Sequence, residues 1–232
     1  MLRLLLPAVT VFTLLATSHA ADPKPTELFN GKDLTGWKAK EEKKNKWKAV
    51  AVQLDPKNDK VFVETQLSPG AAAFLANQPT GGGTDLYTEE KFGDVTVELE
   101  FMIPKGSNSG VYMMGEYEVQ ILDSYGKEKV GPGDLGGLYQ AAAPKSNASK
   151  KPGEWQKFVI EFQAPKFEGD KKIANAKFVK VTLNDVVIHE NIEMKSQTPG
   201  GVTGKEAATG PLMFQGNHGP VAFRNIKITP KK

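Results

Sequence analysis

Two hydrogen-bonding side chains alternate with two apolar ones in the run Glu118-Val119-Gln120-Ile121. In a β-strand, side chains two positions apart point to the same face of the sheet. Glu118 and Gln120 are therefore predicted to share one face, with Val119 and Ile121 on the other. A carboxylate beside an amide predicts a face that meets either water or a polar ligand.

The carboxylate spacing on this strand argues against ordinary glycoside hydrolysis. A retaining glycosidase needs two carboxylates about 5 Å apart, as one glucanase family provides with a Glu-x-Asp-x-Glu strand. Here Gln120 stands where the second carboxylate of that face would be, and Asp123 falls on the opposite face unless a bulge intervenes. Direct double-displacement hydrolysis is therefore disfavoured.

Histidine supplies the next candidate for proton transfer. Outside the first twenty residues the chain contains only His189 and His218. His189, in the strand-like run "VVIHEN", is predicted to be an ordinary half-exposed side chain. His218 lies in "FQGNHGP", where glycines let the backbone approach a ligand, and its near-neutral pKa suits a general acid or base. A structural histidine in a turn remains the alternative, and no histidine-built zinc site is predicted.

The start of the chain predicts export. A basic start at Arg3, an apolar run over 4–16 and the small-x-small sequence ending at Ala20 indicate a signal peptide over 1–20. The apolar run is shorter than the roughly 20 residues that span a bilayer, so we expect a periplasmic or secreted protein without a membrane segment. The net charge of +3 argues against a nucleic-acid partner, and the absence of cysteine excludes disulfides and thiolate chemistry.

Alternating apolar residues predict β-strands along most of the remaining chain. In 94–103, for example, Val95, Val97, Leu99 and Phe101 share one face. Asn184-Asp185 is a hairpin signal, and "GAAAFLANQ" at 70–78 is expected to form at most a short helical turn. Many strands without long helices predict a single domain over 21–232, an antiparallel β-sandwich of jelly-roll type. The predicted strands are 47–54, 94–103, 110–114, 117–122, 155–164, 176–183, 186–190, 211–215 and 221–229.

Several sequence blocks together resemble the 3-keto-disaccharide hydrolase domain family. They are "ELFNGKDLTGWK", "NSGVYMMGEYEVQILDSYG", "GGLYQAAAPKSNASKKPGEWQKFVIEF", "VTLNDVVIHEN" and "GPLMFQGNHGPVAFRNIKI", and they run from about Thr26 to Thr229. The resemblance implies a concanavalin-like jelly roll that acts on glycosides already oxidised at C3 by a separate sugar dehydrogenase. One departure is Met113-Met114, where many family members carry an arginine.

Oxidation at C3 changes the catalytic groups that the site needs. The ketone acidifies the C2 proton, so a base can remove it while the aglycone leaves C1, and water can then add to complete a net hydrolysis. With this substrate, Glu118 and His218 become the candidate base and acid. Gln120, Tyr139, Gln140 and Gln215 become candidate hydroxyl contacts, and Arg224 either steadies the enolate or pairs with a carboxylate.

Two other classes of function stay open. One is a non-catalytic glycan-binding module, and the other is a structural component of an exported complex. No cofactor is required by the expected chemistry. A structural calcium ion at loop carboxylates such as Asp85 or Asp134 is left undecided.

Overall fold

A computed structural model describes residues 23–78 and 82–231, and these residues form an antiparallel β-sandwich. The predicted signal peptide lies outside the described residues. In the two described stretches, no helix is long and apolar enough to cross a membrane. One short 3-10 turn, Glu42–Lys44, lies within the charge-rich run before the third strand.

Sixteen strands build the described part of the fold. In chain order they are β1 (Thr26–Glu27), β2 (Trp37–Ala39), β3 (Trp47–Asp55), β4 (Asn58–Thr65), β5 (Phe74–Asn77), β6 (Leu86–Thr88), β7 (Val95–Met102), β8 (Asn108–Met113), β9 (Tyr117–Leu122), β10 (Gln156–Gln163), β11 (Lys166–Glu168), β12 (Lys171–Ala174), β13 (Ala176–Leu183), β14 (Val186–Met194), β15 (Met213–Phe214) and β16 (Val221–Pro230).

Two sheets make the two layers of the sandwich. The larger has nine strands in the order β14-β13-β10-β7-β16-β5-β3-β4, with β1 added beside β16. The smaller has five, in the order β2-β6-β15-β8-β9, and β11 and β12 form a separate hairpin. Because β8 and β9 pair from Asn108↔Leu122 to Met113↔Tyr117, Glu118 lies directly opposite Tyr112.

The predicted alternation is confirmed in the core. Val97, Leu99 and Phe101 of β7 are buried in the main hydrophobic cluster, which also receives Val119 and Ile121 from β9. The apolar faces of the two sheets thus point inward. The face of β9 that carries Glu118 and Gln120 must therefore point away from the core.

A stack of aromatic rings joins the sheets beneath the end of β15. The ring centroids of Phe214 and Phe223 are 4.0 Å apart and nearly parallel, and Trp37 stacks on Phe214 at 5.4 Å. Trp47 packs beside both phenylalanines, with its ring centroid 6.1 Å from Phe223 and 6.4 Å from Phe214. This packing fixes the backbone of β15, and Gln215 is the next residue in the chain.

All nine predicted strands are present, and the bounds of 117–122 and 176–183 agree with the structure. Asn184 and Asp185 both have positive φ, 51° and 66°, as a tight hairpin with right-handed strand twist requires. The prediction for 70–78 was wrong, because Phe74–Asn77 is strand β5. Its backbone pairs with both β3 and β16, and these tertiary hydrogen bonds override the local helical preference of the alanines.

Truncating Phe214 tests the aromatic stack. Phe214→Ala should lower the free energy of unfolding by about 3–5 kcal/mol, because a fully buried ring is lost and a cavity is left. Urea unfolding followed by fluorescence measures this change. The matched control is Tyr125→Ala, whose ring is 49% exposed and whose loss should change stability by less than about 0.5 kcal/mol. A Phe214→Ala effect as small as that of the control would refute this role for the stack.

Candidate active site

A cavity of about 170 Å³ lies over the outer face of β8, β9 and the end of β15. The structure brings five of the seven predicted site residues into its wall and adds four that sequence reasoning missed. The lining residues are Asn108, Tyr112, Glu118, Gln120, Tyr139, Pro199, Gly200, Gln215 and His218. A volume below the roughly 300–1,000 Å³ of typical ligand sites suits one sugar ring.

The polar face of β9 is buried beneath loops. Glu118 is 2% exposed and Gln120 is 4% exposed. The segment after Asp134 pairs with the free edge of β9, because Gly136 N donates to Gln120 O at 2.8 Å and Gln120 N donates to Gly137 O at 2.8 Å. This segment covers the edge of the sheet and carries Tyr139 into the cavity wall.

His189 supports that covering segment from behind. Its Nε2 is 2.8 Å from the carbonyl oxygen of Gly136, and its side chain is buried. Burial lowers the pKa of His189 below its ordinary value. The predicted half-exposed position was therefore wrong, because the covering loop comes from a distant part of the sequence.

The second wall of the cavity is the loop that contains Pro199 and Gly200, and Glu116 holds it in place. The Glu116 carboxylate accepts hydrogen bonds from Thr203 N at 2.8 Å, Thr203 Oγ1 at 2.7 Å and Gly204 N at 3.1 Å. Thr198 Oγ1 donates to Glu116 O and accepts from Glu118 N, both at 3.0 Å. The loop is thus tied directly to the strand that carries Glu118.

Room for the Glu118 side chain depends on Gly110 of the neighbouring strand. A Cβ atom at position 110 would lie 2.2 Å from Glu118 Oε1. Any side chain there would displace the carboxylate. Gly110 therefore lets Glu118 lie across β8 towards the cavity.

The Glu118 carboxyl group has the electrostatics of a general base. Burial raises its pKa to about 7, the negative charge of Asp85 adds to the rise, and the nearby Tyr112 hydroxyl opposes it. A base works best when its pKa is close to the working pH. Glu118 is thus set to exchange protons near neutrality.

Tyr112 is a site residue that sequence reasoning missed. Its hydroxyl donates to Pro199 O at 3.1 Å and accepts from Gln215 Nε2 at 3.3 Å. Burial and the nearby Glu118 charge raise its pKa far above the ordinary value, so the phenol stays protonated and remains a donor. The signal in the sequence is positional, since Tyr112 faces Glu118 across the hairpin.

The cavity contains a concentration of acceptor oxygens without partners. In the described residues, six buried side-chain atoms have no hydrogen-bond partner, and four of them belong to residues that line this cavity. They are Asn108 Oδ1, Glu118 Oε1, Gln120 Oε1 and Gln215 Oε1. Buried polar groups are normally paired, so these four oxygens indicate a place for a ligand that donates hydrogen bonds, such as a polyhydroxylated molecule.

His218 stands at the exposed rim of the cavity. Its Nδ1 contacts Asn217 Oδ1, and the glycines on either side bring the turn close to other chain segments. A Cβ at position 219 would lie 2.4 Å from Ser107 Oγ, and one at position 216 would lie 2.1 Å from Thr84 O. The glycines therefore allow this close approach, which places the imidazole beside the cavity.

Two predicted contacts lie elsewhere. Gln140 is exposed and lines an adjoining groove rather than the cavity. Arg224 lies over the ring of Trp155, 4.1 Å from its centroid, and its Nε pairs with Glu100 Oε2 at 2.6 Å. The structure thus shows the carboxylate pairing that the sequence left open for Arg224, and does not bring the guanidinium to Glu118.

Met113 and Met114, where the resemblance leads us to expect an arginine in many family members, also lie away from the cavity. Met113 is buried in the core, and Met114 is buried at a turn with φ of 54°. Neither residue lines the cavity. An arginine side chain that pointed in the direction of Met113 or Met114 would therefore not reach this cavity.

The two carboxylates that are candidate calcium ligands already interact with N–H and lysine groups of the protein. Asp134 accepts from Gly131 N at 2.9 Å and pairs with Lys127 at 2.5 Å. Asp85 accepts from Gly216 N at 3.1 Å and lies 3.7 Å from Lys40 Nζ. Within residues 23–78 and 82–231, no group of three or more histidine, cysteine or acidic side chains converges to form a metal site.

Comparison with known proteins shows the family of this chain and supports a carbohydrate-active function. Residues 24–229 match the 3-keto-alpha-glucoside-1,2-lyase-like domain, and the chain belongs to that family. The predicted family is thereby confirmed. No curated protein matches the chain.

Solved structures share the architecture. A candidate glycosyl hydrolase from Parabacteroides distasonis is 27% identical, with a TM-score of 0.65 over 89% of this chain and 84% of its own. A second candidate glycosyl hydrolase from that organism is 21% identical, with a TM-score of 0.60 over 90% of this chain and 94% of its own. The second confirms the fold only. The family and the first structure support a carbohydrate-active function.

Replacing Glu118 tests the burial of its charge. Because its pKa is raised from 4.5 to about 7 in the folded state, the folded protein binds the proton more tightly than the unfolded chain does. The wild type therefore loses stability as the pH rises from about 4.5 to about 7, by up to about 3 kcal/mol. Glu118→Gln has no such loss, so its free energy of unfolding relative to wild type should be higher at pH 8 than at pH 4.

Urea unfolding at the two pH values measures this difference. Glu168→Gln is the matched control, because Glu168 is exposed on β11. Its stability relative to wild type should be the same at both pH values. If the stability of Glu118→Gln relative to wild type were also the same at both pH values, burial would not destabilise the charged form of Glu118.

Proposed function

We propose that this protein cleaves 3-keto glycosides by base-assisted elimination across C2 and C1, followed by hydration that completes a net hydrolysis. The family membership and the similarity to candidate glycosyl hydrolases support a carbohydrate-active enzyme. The observation that carries the finer proposal is the isolation of Glu118. Among the described residues that line the cavity, it is the only carboxylic acid.

Glu118 is the base that takes the C2 proton. As its carboxylate gains this proton, the C2–H electron pair forms the C1–C2 double bond, and the C1–O bond breaks with its electrons moving to the aglycone oxygen. The C3 ketone holds the charge transiently as an enolate. Because this route needs one base and one acid, a second carboxylate opposite Glu118 is unnecessary.

His218 is the acid that protonates the departing oxygen. It lines the cavity at its exposed side, where an aglycone can leave without crossing the buried part of the site. The aglycone then departs as a neutral alcohol. The remaining sugar is a 2-hydroxy enone, to which water adds at C1 while C2 regains a proton.

The amide side chains and Tyr112 hold the sugar and its developing charge. The free oxygens of Asn108, Gln120 and Gln215 can accept hydrogen bonds from the ring hydroxyls. The Tyr112 hydroxyl lies beside Glu118 and stays protonated. It would stabilise an enolate oxygen by turning its hydrogen from the carbonyl oxygen of Pro199 to the substrate. Tyr139 closes the cavity from the covering segment.

The proposal also covers the source of the substrate, the need for a cofactor and the place where the enzyme acts. A sugar dehydrogenase must supply the C3 ketone, because none of these steps oxidises the substrate. The elimination uses no cofactor. The signal sequence supports action outside the cytoplasm, in the periplasm or the medium.

Matched substrates test the proposal directly. The mature protein should cleave a 3-keto glucoside and leave the parent glucoside intact, because without the ketone the C2 proton is not acidic. Glu118→Gln and His218→Ala should each slow cleavage by roughly 10²- to 10⁴-fold, the range for losing a positioned proton-transfer group. Released aglycone is measured by chromatography.

The control in this experiment is Glu168→Gln, an exposed exchange on β11 that should cleave at the wild-type rate. Full activity in both active-site variants would reject the residue assignment. Tight binding of the keto glucoside without cleavage would instead favour a glycan-binding module.

Solvent deuterium distinguishes elimination from direct hydrolysis. In D₂O, we expect either the enone to accumulate or the hydrated product to carry deuterium at C2, because elimination breaks the C2–H bond. Mass and NMR spectra report both species, and substrate and product incubated without enzyme give the background exchange. Cleavage in which C2 keeps its original hydrogen would reject elimination while leaving hydrolysis intact.

A further inference from the structure

The turn that carries the candidate acid is held by buried hydrogen bonds at both of its ends. It spans 215–220 and connects β15 with β16. At the first end, Gly216 O accepts a hydrogen bond from Asn77 Nδ2 at 2.7 Å. At the second end, Pro220 O accepts one from Ser107 Oγ at 2.6 Å. The backbone of the turn is therefore fixed on both sides of its tip.

The tip of the turn consists of Asn217 and His218, and both side chains are exposed. An exposed imidazole on a fixed backbone can still rotate about its side-chain bonds and present either ring nitrogen to the cavity. Among the described residues, the His218 ring has one hydrogen-bond partner, which is Asn217, through the contact between Nδ1 and Oδ1. This contact therefore determines which edge of the ring is left for a substrate.

The amide oxygen also determines where the ring carries its hydrogen. An amide oxygen can only accept a hydrogen bond, so Nδ1 of His218 must be the donor to Asn217 Oδ1. A neutral imidazole has a single N–H, and Nε2 is then left without a hydrogen. Nε2 is thus the nitrogen that gains and loses the second proton of the ring.

His189 has the opposite arrangement. Its Nε2 lies 2.8 Å from the carbonyl oxygen of Gly136, which can only accept a hydrogen bond. Burial lowers the pKa of His189 and so favours the neutral ring. This neutral ring must carry its hydrogen on Nε2. The two histidines therefore differ in tautomer, because their acceptors contact different ring nitrogens.

We propose that Asn217 is a positioning residue, which fixes the tautomer and the direction of His218 so that Nε2 gives its proton to the departing oxygen. The inference rests on the proposed function, because the proton is needed only if a glycosidic bond is cleaved. In this step the electron pair of the broken C1–O bond forms the new O–H bond, and the pair of the Nε2–H bond stays on the nitrogen. The ring is left neutral with its hydrogen on Nδ1, which is the form that Asn217 already stabilises.

Nitrogen NMR of the histidine rings tests the contact without a substrate. With the predicted signal peptide removed, the chain contains only His189 and His218. At a pH where both rings are neutral, wild type should carry hydrogen on Nδ1 of His218 and on Nε2 of His189. In Asn217→Ala the Nε2–H form of His218 should appear, while His189 stays unchanged. Asn217→Asp keeps an acceptor oxygen and should keep the wild-type tautomer.

Two substrates that differ only in the leaving group test the role of the proton. Methoxide is a poor leaving group and needs protonation, whereas para-nitrophenolate leaves readily without it. With the two 3-keto glucosides of the same anomer, Asn217→Ala should lower kcat for the methyl compound by roughly 3- to 10-fold, the loss of one net hydrogen bond. It should lower kcat for the para-nitrophenyl compound by less than about twofold, because that reaction depends little on the acid.

Two other variants complete this experiment. Asn217→Asp should restore kcat for the methyl compound, because it retains the acceptor for Nδ1. Asn58→Ala is the matched control, since Asn58 is exposed at the start of β4 in the other sheet. It should change neither the tautomers nor the two kcat values.

The outcomes separate failure of the positioning role from failure of the proposed function. A wild-type His218 that carries its hydrogen on Nε2 would overturn the inference, whatever the activity. If the tautomers are as expected, but Asn217→Ala slows both substrates equally or slows neither, only the positioning role is rejected. If wild type cleaves neither keto glucoside, the proposed function falls, and the acid role of His218 falls with it.

Discussion

The architecture of the site depends on one buried carboxylate, Glu118, whose Oε1 atom has no hydrogen-bond partner in the protein. Glu118 is almost fully removed from water, and its Oε1 accepts no hydrogen bond. Such a group opposes folding whenever it is charged, so the rest of the fold must offset it. The hydrophobic core between the sheets supplies apolar burial, and Gly110 supplies the space for the Glu118 side chain. The loops on both sides exclude water, which keeps the proton affinity of Glu118 high.

Glu116 shows that this isolation is specific to Glu118. The two residues are two positions apart on the same chain segment, and both are buried. The Glu116 carboxylate receives three hydrogen bonds from Thr203 and Gly204. It stabilises a loop, whereas Glu118 faces a cavity lined by other unpaired oxygens. Burial alone therefore does not distinguish these two carboxylates, but their hydrogen-bond partners do.

Local patterns in the sequence predicted the strands and the face that carries the site. Alternation placed Val119 and Ile121 in the core, and so placed Glu118 and Gln120 on the outer face. The same patterns could not show that loops bury this face, because Gly136 and Thr198 reach β9 only through tertiary contacts. The burial of His189 was missed for the same reason, because its partner Gly136 is distant in sequence. The role of Arg224 stayed open because its partner Glu100 is distant as well. Tyr112 could have been found by pairing 110–114 with 117–122 as a hairpin, which sets it opposite Glu118.

The number of carboxylates in the cavity determines which sugar chemistry it can support. Retaining hydrolysis needs a second carboxylate about 5 Å from the first, and inverting hydrolysis needs one about 6.5–9.5 Å away. Asp85 is close enough to raise the pKa of Glu118, but its oxygens face Gly216 N and Lys40, and it does not line the cavity. A glycoside with only hydroxyl groups would thus meet one carboxylate, Glu118, without the second carboxylate that its hydrolysis requires. In the proposed mechanism a ketone at C3 removes that requirement, because the substrate itself would stabilise the charge that Glu118 creates at C2.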